Sequence, residues 1–431
     1  MIKNKSILLI YGLIFLYLFH GIGILSAQEE VNIDENFSPK ILEKSKDLRD
    51  LIEEQHEENE DLSKDPKYLF DLAYQQENAY LLKGGLRTKK WDNRHWLMLS
   101  HTINLEKWGL SNLGSLFIQN LLVLEDTQVN QDHQLIGDLH VYSNILGENR
   151  IQFFEFLWKH RFKPKFGTLN VELGRIDGNA HFAVSKHEHS FLSGSSGYSP
   201  AIAFQSYPEV GWGTQIFYDL NWDQIELELA IGIFDGSNTD RRGISTGKQF
   251  WMSPGYFQGN SLFMVSQNTL SWSTYYAGNL SLGLWHHTGD FQPIDHGPIA
   301  HGTSGFYFTG DQSVIKWKHT ELNLGIQMAF ADRNALQTPR HLSFAWLIKD
   351  LWEGLDNDEF GMSISQLKVN GLDEEYLIEH LFRVGVFEFL NVAMVYTYVK
   401  NPAGGIIENA HLGIVRFEVE KEIVKIDRQS N

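Results

Sequence analysis

Several stretches of this chain alternate strictly between apolar and polar or small side chains, and this period of two constrains the fold more than any other feature. In one such stretch, Leu169, Val171 and Leu173 share a face. The intervening Asn170 and Glu172 share the opposite face. Such alternation is typical of a β-strand whose two faces meet different surroundings. In a soluble sheet the apolar face meets a protein core, whereas in an outer-membrane barrel it meets lipid and the polar face lines water.

The same alternation recurs in segments long enough to cross a membrane. It is found in Gln224–Ile233, Asn279–Trp285, Glu321–Phe330 and Asn391–Tyr398. A tilted strand needs about 9–11 residues to cross the hydrocarbon layer. The face opposite the apolar one carries mostly Gly, Ala, Ser and Asn, which suits a crowded barrel interior. Aromatic residues lie near several strand ends, as expected for an interfacial girdle; they are Tyr218, Trp222, Trp285, Tyr396 and Tyr398.

The N-terminal region differs from the rest of the chain. Residues 1–27 combine a short basic start, an apolar core and a final Ser-Ala pair, which predicts a secretory signal peptide; an uncleaved anchor helix is the alternative. Residues 28–66 are acidic and favour helix, which predicts a helical or flexible periplasmic segment, either a solvated tether or an element for assembly or docking. Beyond the signal no run of eighteen apolar residues occurs, so ordinary membrane-spanning helices are excluded.

The composition agrees with a large β-structure made for export. The chain has no cysteine, so neither disulfides nor thiolate chemistry contribute. Aromatic residues make up 13%, with 37 glycines and only 10 prolines, which favours long antiparallel strands because proline cannot donate to a ladder. The net charge of -18 argues against a nucleic-acid partner. At about 22 residues per strand and connection, the region after the acidic segment predicts an all-β, transmembrane antiparallel barrel of about sixteen strands over residues 67–431.

Several landmarks along the chain share their order with a known family. They are Lys83–Thr88, Thr102–Trp108, Leu173–Asp177, Phe191–Gly197, Gly232–Gly236 and Tyr398–Gly405. In this order the chain resembles the carbohydrate-selective outer-membrane porins of the OprB type. The resemblance implies a barrel in the outer membrane of a Gram-negative bacterium that passes sugars. The C-terminal end lacks the terminal aromatic residue typical of such barrels, and Arg416 is expected to interrupt the alternation of the last strand and leave its register open.

A sugar in a pore offers hydroxyl groups to charged and amide side chains, and its ring faces to aromatic side chains. The strand faces predict that Asn170, Glu172, Glu226 and Glu228 point into the lumen. Arg175, Asp177 and Asp235 lie at strand ends beside long loops, where a constriction is expected. These seven residues are the predicted substrate-binding residues.

The sequence carries no signal for catalysis or for a bound cofactor. It contains no Gly-x-Ser-x-Gly elbow, no phosphate-binding glycine loop and no histidine pair at metalloprotease spacing. Histidines such as His187 and His189 are weak metal signals, so neither metal nor cofactor is expected. The hypothesis is a passive carbohydrate porin whose partners are outer-membrane lipid, sugars and possible further copies of itself. The alternative is a structural or capsule-assembly barrel with a plugged lumen, which the acidic segment favours.

Overall fold

The computed structural model describes residues 66–87, 90–110, 112–125, 135–145, 149–204, 207, 210–236, 261–291, 298–352 and 355–426. In these residues sixteen strands form one sheet: β1 Tyr68–Lys83, β2 Trp91–Asn104, β3 Ser115–Glu125, β4 Arg150–Phe162, β5 Thr168–Ile176, β6 Gly211–Trp222, β7 Ile225–Asp235, β8 Leu262–Trp272, β9 Gly278–Phe291, β10 Ala300–Trp317, β11 Thr320–Ala331, β12 Arg340–Lys349, β13 Asp356–Lys368, β14 Glu375–Phe387, β15 Leu390–Lys400 and β16 Ala410–Ile426. The helical turns are short: Glu106–Trp108, Gly178–Ala180, Glu188–Ser190, Gly194–Gly197 and Pro402–Gly405. In the described ranges, no helix has the length and apolar character needed to cross a membrane.

The strands close into one antiparallel barrel in which each strand pairs with its neighbours in sequence. The ring closes between β1 and β16, where Tyr68 pairs with Ile426 and Tyr80 pairs with Gly413. Closure leaves no sheet edge with unpaired backbone groups, which is the condition for a sheet to exist in lipid. The prediction of an all-β antiparallel barrel of about sixteen strands is therefore confirmed. The predicted signal peptide and nearly all of the predicted acidic segment, residues 28–66, lie outside the described residues.

The connections between strands differ at the two ends of the barrel. At one end the hairpins are tight, and residues 223–224, 318–319 and 388–389 join β6 to β7, β10 to β11 and β14 to β15. At the other end the connections are longer, and one of them covers residues 177–210 between β5 and β6. Outer-membrane barrels have short turns on the periplasmic side and long loops outside. The two ends are named periplasmic and extracellular on this basis.

Burial alternates along the strands with the predicted period. On β7, Ala230 and Phe234 face the interior and are 2% and 1% exposed. Ile231 and Ile233 face outward and are 51% and 45% exposed. The outward face of this strand is thus aliphatic, as expected for a surface in contact with lipid.

The last strand corrects one expectation. Arg416 does not interrupt the alternation of β16, because it shares the inward face with Leu412 and Ile414 and is only 2% exposed. Val415 beside it faces outward. Arg416 lies directly opposite Glu77 of β1, so the register continues through this position.

One of the aromatic residues predicted for the interfacial girdle lies inside the barrel instead. Trp222 is 55% exposed beside the periplasmic turn between β6 and β7, as an interfacial residue should be. Trp285, which was expected in the girdle, faces the interior and is 3% exposed. It stacks on Phe263, with ring centroids 5.9 Å apart. The expectation for Trp285 was wrong because its neighbours Leu284 and His286 occupy the outer face of β9.

Two parts of the chain between strands fold into the barrel. Inner segment A comprises residues 135–145, and inner segment B comprises residues 177–204. Their apolar side chains are almost fully buried; they include Leu135, Ile136, Tyr142, Phe182, Phe191 and Leu192. Apolar residues of the inner wall cover them, among them Leu377, Leu381 and Val395. The interior is therefore not polar throughout, contrary to expectation, because part of the wall serves to pack the inner segments.

Candidate functional site

Inner segment B is fixed to the wall by inward-facing polar side chains. Asp311 of β10 accepts hydrogen bonds from the backbone N–H groups of Lys186 and His187, both at 3.0 Å. Gln327 of β11 donates to the backbone carbonyl of Ala183 at 2.7 Å. Each bond ties one backbone position to one strand, so the segment follows a defined path along the inner wall and narrows the lumen.

Two glutamates of β14 hold both inner segments. Glu379 accepts hydrogen bonds from the backbone N–H groups of Leu192 and Ser193, at 2.6 and 3.0 Å. Glu375 accepts two successive N–H groups of inner segment A, at 2.8 and 3.0 Å. These carboxylates satisfy backbone donors that are otherwise buried without a partner, a situation that costs about 1–3 kcal/mol per group.

Glu172 of β5 faces the interior, where it belongs to a cluster of polar side chains. Its carboxylate lies 3.3 Å from Lys159 Nζ on β4 and accepts a hydrogen bond from Gln215 on β6 at 2.6 Å. His181 of inner segment B approaches the same carboxylate at 3.7 Å. The cluster therefore joins the wall to the inner segment at the narrowed level of the barrel.

Asn170 begins a polar row nearer the periplasmic end. Arg161 Nε donates to the Asn170 side chain at 3.0 Å, and Asn170 donates to Asp219 at 2.9 Å. Asp219 is paired across the sheet with Glu228, and Glu228 is paired with Thr269. The row thus runs across β4, β5, β6, β7 and β8 and presents charged, amide and hydroxyl groups side by side.

Glu226 and Asp235 lie at opposite ends of β7. Glu226 faces the interior near the periplasmic turn, opposite Asn221 and Ser271. Asp235 ends the strand on the extracellular side and is 8% exposed. Nine residues of strand separate them by about 30 Å. The seven predicted residues are therefore spread over the height of the barrel, six on strands and Asp177 at the start of inner segment B, and do not form one site.

Arg175 lies where the alternation of β5 stops. Gly174 has a φ of 148°, and a Cβ there would lie 1.9 Å from the carbonyl oxygen of Phe156. Only glycine fits this backbone position. Leu173 is 54% exposed. Arg175 lies two residues further along and would share that outward face in a regular strand, but it is 5% exposed. The bend at Gly174 thus buries Arg175 before the chain enters inner segment B.

Asp177 caps the first turn of inner segment B. Its carboxylate accepts a hydrogen bond from the backbone N–H of Asn179 at 3.2 Å. Its own backbone N–H donates to Glu155 at 2.7 Å. Burial raises the pKa of Asp177 to about 7, and the hydrogen bond from Asn179 opposes this rise. This arrangement gives Asp177 a positioning task at the start of the segment.

Sequence reasoning missed the partners of Asn170 and Glu172. Lys159 pairs with Glu172 and Arg161 pairs with Asn170 across the β4–β5 hairpin. The signal was available, because a hairpin turning at residues 163–167 sets these positions opposite each other. Gln215 and Asp219 of β6 carry no such local signal, since a long connection separates β6 from β5.

Glu188 is a buried acid in inner segment B that predicts a dependence of stability on pH. It is 0% exposed, and its carboxylate accepts a hydrogen bond from Ser363 at 2.9 Å. Burial raises its pKa from 4.5 to about 8; the Ser363 and Ser343 hydroxyl groups oppose the rise, and Asp311 and Glu379 add to it. The folded protein thus holds this proton more tightly than the unfolded chain does.

The contribution of Glu188 to the stability of the fold should therefore be fully present below about pH 4.5. It should be lost as the pH rises from there to about 8. Replacing Glu188 by glutamine keeps a hydrogen-bonding group but removes the titration. We expect the thermal unfolding midpoint of the wild type in detergent to fall more between pH 5 and pH 9 than that of Glu188→Gln. Parallel curves for the two proteins would contradict the prediction.

The described residues contain no group of three or more His, Asp or Glu side chains that could hold a metal ion. The geometry offers instead a lipid-facing sixteen-strand barrel, short turns at one end and a chain segment bound inside the lumen. This combination defines an outer-membrane porin, a class of channel.

The comparison with known families agrees with this class. The family model described as "Carbohydrate-selective porin, OprB family" matches residues 89–420. The chain therefore belongs to this family and is a β-barrel of the Gram-negative outer membrane. No sequence among curated proteins matches the chain.

The chain also aligns with solved structures, and the first of them shares its fold. A high-pH structure of OprB from Pseudomonas putida aligns with a TM-score of 0.70 and 16% identity, over 82% of this chain and 94% of that chain. A loop-deletion variant of OmpT from Vibrio cholerae aligns with a TM-score of 0.48 and 10% identity, over 82% of this chain and 99% of that one. A variant of the Rh. blastica porin aligns with a TM-score of 0.45 and 11% identity, over 82% of this chain and 100% of that one.

Proposed function

We propose that this porin passes carbohydrates passively along the polar row of its inner wall. The observation that carries the proposal is the row that begins with Arg161, Asn170 and Asp219 and continues across the sheet to Glu228 and Thr269. Its charged, amide and hydroxyl groups follow one another at the spacing of neighbouring strands, about 4.8 Å, and can donate to and accept from the hydroxyl groups of a sugar. Family membership supports the same substrate class.

An aromatic surface adjoins the narrowed level. The rings of His181 and Phe217 lie 4.6 Å apart, and Phe217 faces inward from β6 beside the Glu172 cluster. The apolar face of a pyranose ring packs against aromatic side chains, while its hydroxyl groups need polar partners. Phe217 itself is 5% exposed, so a sugar would meet the edge of the His181 ring, which Phe217 supports, beside the Glu172 carboxylate.

Sugar flux through the purified protein tests the proposal. Proteoliposomes that contain the protein should swell in glucose and maltose, and sugar should reduce the single-channel conductance as it occupies the row. Absence of both swelling and block in a correctly folded barrel would refute it. Folding is checked separately by the change of gel mobility on boiling.

Two inward substitutions should weaken sugar block. Asn170→Leu and Glu228→Leu each remove hydrogen-bonding groups from the row, and one such bond contributes about 0.5–1.5 kcal/mol. We therefore expect the sugar concentration that gives half-maximal block to rise about two- to tenfold in each variant. Asn268→Leu is the matched control, because Asn268 lies on the exposed outer face of β8 next to Thr269. An equal change in the control would contradict a role for the row.

A structural barrel without flux remains the second candidate, supported by the apolar packing of both inner segments in the lumen. The same swelling assay separates the two, since a plugged barrel admits no sugar in the wild type. The predicted sugar contacts Arg175, Asp177, Asp235 and Glu226 belong to the channel proposal only. Their substitution has no effect on flux in the plugged alternative.

A further inference from the structure

The outer surface of the barrel carries a cluster of cations at its extracellular end. We call this cluster the basic rim; it comprises Arg340 at the start of β12, Lys368 at the end of β13, Lys400 at the end of β15 and Lys83 at the end of β1. The adjoining residues His341, Leu367 and Val399 are fully buried on the inner face, so the cations beside them point outward. Lys83 is exposed and lies opposite His411 of β16. The rim thus follows one arc of the ring, from β12 to β1.

The register brings members of the basic rim side by side. Arg340 lies directly opposite Lys368 on the neighbouring strand. Lys400 lies opposite Tyr376, and its Nζ atom is 5.6 Å from the centre of the Tyr376 ring. Like charges directly opposite each other on a sheet are destabilising. An anion bound between Arg340 and Lys368 would therefore stabilise this face.

One carboxylate offsets part of the charge. Glu374, just before β14, pairs with Arg340 at 2.8 Å and accepts a hydrogen bond from Tyr376 at 2.9 Å. Among the described residues, none of the three lysines of the rim forms an ion pair. The rim therefore keeps an excess of positive charge, although the chain as a whole has a net charge of -18.

The opposite half of the barrel lacks this charge. From β6 to β11, the outermost residues of the outer face that are not buried are Trp212, Ile233, Leu262, Asp290, His301 and Phe330. None of them is a lysine or an arginine. A general attraction to a charged membrane surface would favour cations on all sides of the barrel. Their restriction to one arc indicates a local binding site.

Apolar residues continue the same face toward the middle of the membrane. Below the rim, the outer faces of β12, β13 and β14 carry Leu342, Phe344, Ile364 and Ile378. Tyr398 of β15 lies between Lys400 and this apolar surface. The face is thus basic at the level of the lipid head groups and apolar at the level of the acyl chains.

We propose that the basic rim binds a phosphorylated glycolipid of the outer leaflet, with its phosphates on the cations and its acyl chains on the apolar face below. Lysine and arginine form charge-assisted hydrogen bonds with phosphate, and clusters of basic residues at a membrane surface bind anionic head groups. A phosphate between Arg340 and Lys368 relieves the repulsion between these side chains. Lys400 reaches a second anionic group of the same head group. The site lies on the outer surface, so it does not depend on the passage of sugar through the lumen.

Lipid binding to the purified protein tests this site. The probe is lipid A, a bis-phosphorylated glucosamine-disaccharide lipid, and native mass spectrometry in a non-ionic detergent measures its dissociation constant. The dephosphorylated lipid with the same acyl chains should bind much more weakly. Lys368→Gln combined with Lys400→Gln should raise the dissociation constant for lipid A about 25-fold, since each cation beside an anionic lipid contributes about fivefold.

A second pair of lysines gives the matched control. Lys163→Gln combined with Lys165→Gln removes two exposed charges from the periplasmic turn between β4 and β5 and should leave lipid A binding unchanged. The change of gel mobility on boiling shows that each variant is folded. Unchanged binding in the rim variant, an equal loss in the control, or equal binding of the dephosphorylated lipid would overturn the proposal. Displacement of the lipid by an equal concentration of inorganic phosphate, or by the acidic polysaccharide polygalacturonate, would also overturn it.

Discussion

Replacing Glu375 and Glu379 together by alanine is expected to raise the single-channel conductance several-fold. The two carboxylates accept backbone N–H groups of both inner segments, and Glu375 also accepts the N–H of Ala403 at 2.7 Å. Without them, five buried N–H groups lose their partners, at about 1–3 kcal/mol each. The segments should then leave the wall of β14, because water can satisfy those groups only after they separate. The lumen widens as a result.

The two segments are expected to move together, since they also bind each other. The backbone N–H of Gly194 donates to the carbonyl of Val141 at 2.6 Å, and that of Asn144 donates to Leu192 at the same distance. A single substitution leaves the other glutamate in place to hold the pair. We therefore expect Glu375→Ala and Glu379→Ala alone to change conductance much less than the double variant does.

Planar-bilayer recording measures the effect directly. Glu321→Ala is the matched control, because this inward glutamate of β11 pairs with Lys316 on the wall at 2.8 Å. The control should conduct like the wild type. A correctly folded double variant with wild-type conductance would show that the inner segments do not limit the path. If the wild type passes no sugar but the double variant does, the plugged-barrel alternative is favoured.

The strands could be predicted because lipid and lumen select opposite side chains at every second position. The alternation of Ile225–Ile233 is visible in the sequence and survives unchanged in the structure. The alternation alone, however, does not reveal which residues an inward side chain contacts. Arg416 looked like an interruption because its partner Glu77 is 339 residues away.

The inner segments could not be predicted for a related physical reason. Their apolar residues, such as Phe182 and Phe191, lie in a connection with no period of two. Their anchors are equally distant in sequence, since Glu379 is 187 residues from Leu192. The sequence pattern therefore located Asn170 and Glu172 on the correct face but gave no indication that the lumen beside them is narrowed. Only cross-strand register and tertiary packing supply that information.

The pair formed by Arg416 and Glu77 predicts the largest loss of stability from a single substitution. The two side chains are 2% and 1% exposed and lie opposite each other where β16 meets β1. Arg416 Nε and one terminal nitrogen donate to the same carboxylate oxygen, at 3.0 and 2.5 Å. The terminal nitrogen also lies 3.3 Å from Ser143 Oγ, in inner segment A. The pair thus links the junction of β1 and β16 to inner segment A.

Arg416→Met should lower the free energy of unfolding by about 3–5 kcal/mol, because it removes one partner of a buried ion pair together with the two hydrogen bonds that Arg416 donates to Glu77. Replacing both residues, as Glu77→Leu with Arg416→Met, should recover most of this loss, since apolar side chains of similar volume need no counter-charge. Urea unfolding in detergent, followed by tryptophan fluorescence, gives the double-mutant cycle. Arg161→Met is the control, because Arg161 is only partly buried and its substitution should cost much less. A neutral Arg416→Met, or a double variant as unstable as the single one, would show that the charge pair does not stabilise the closed barrel.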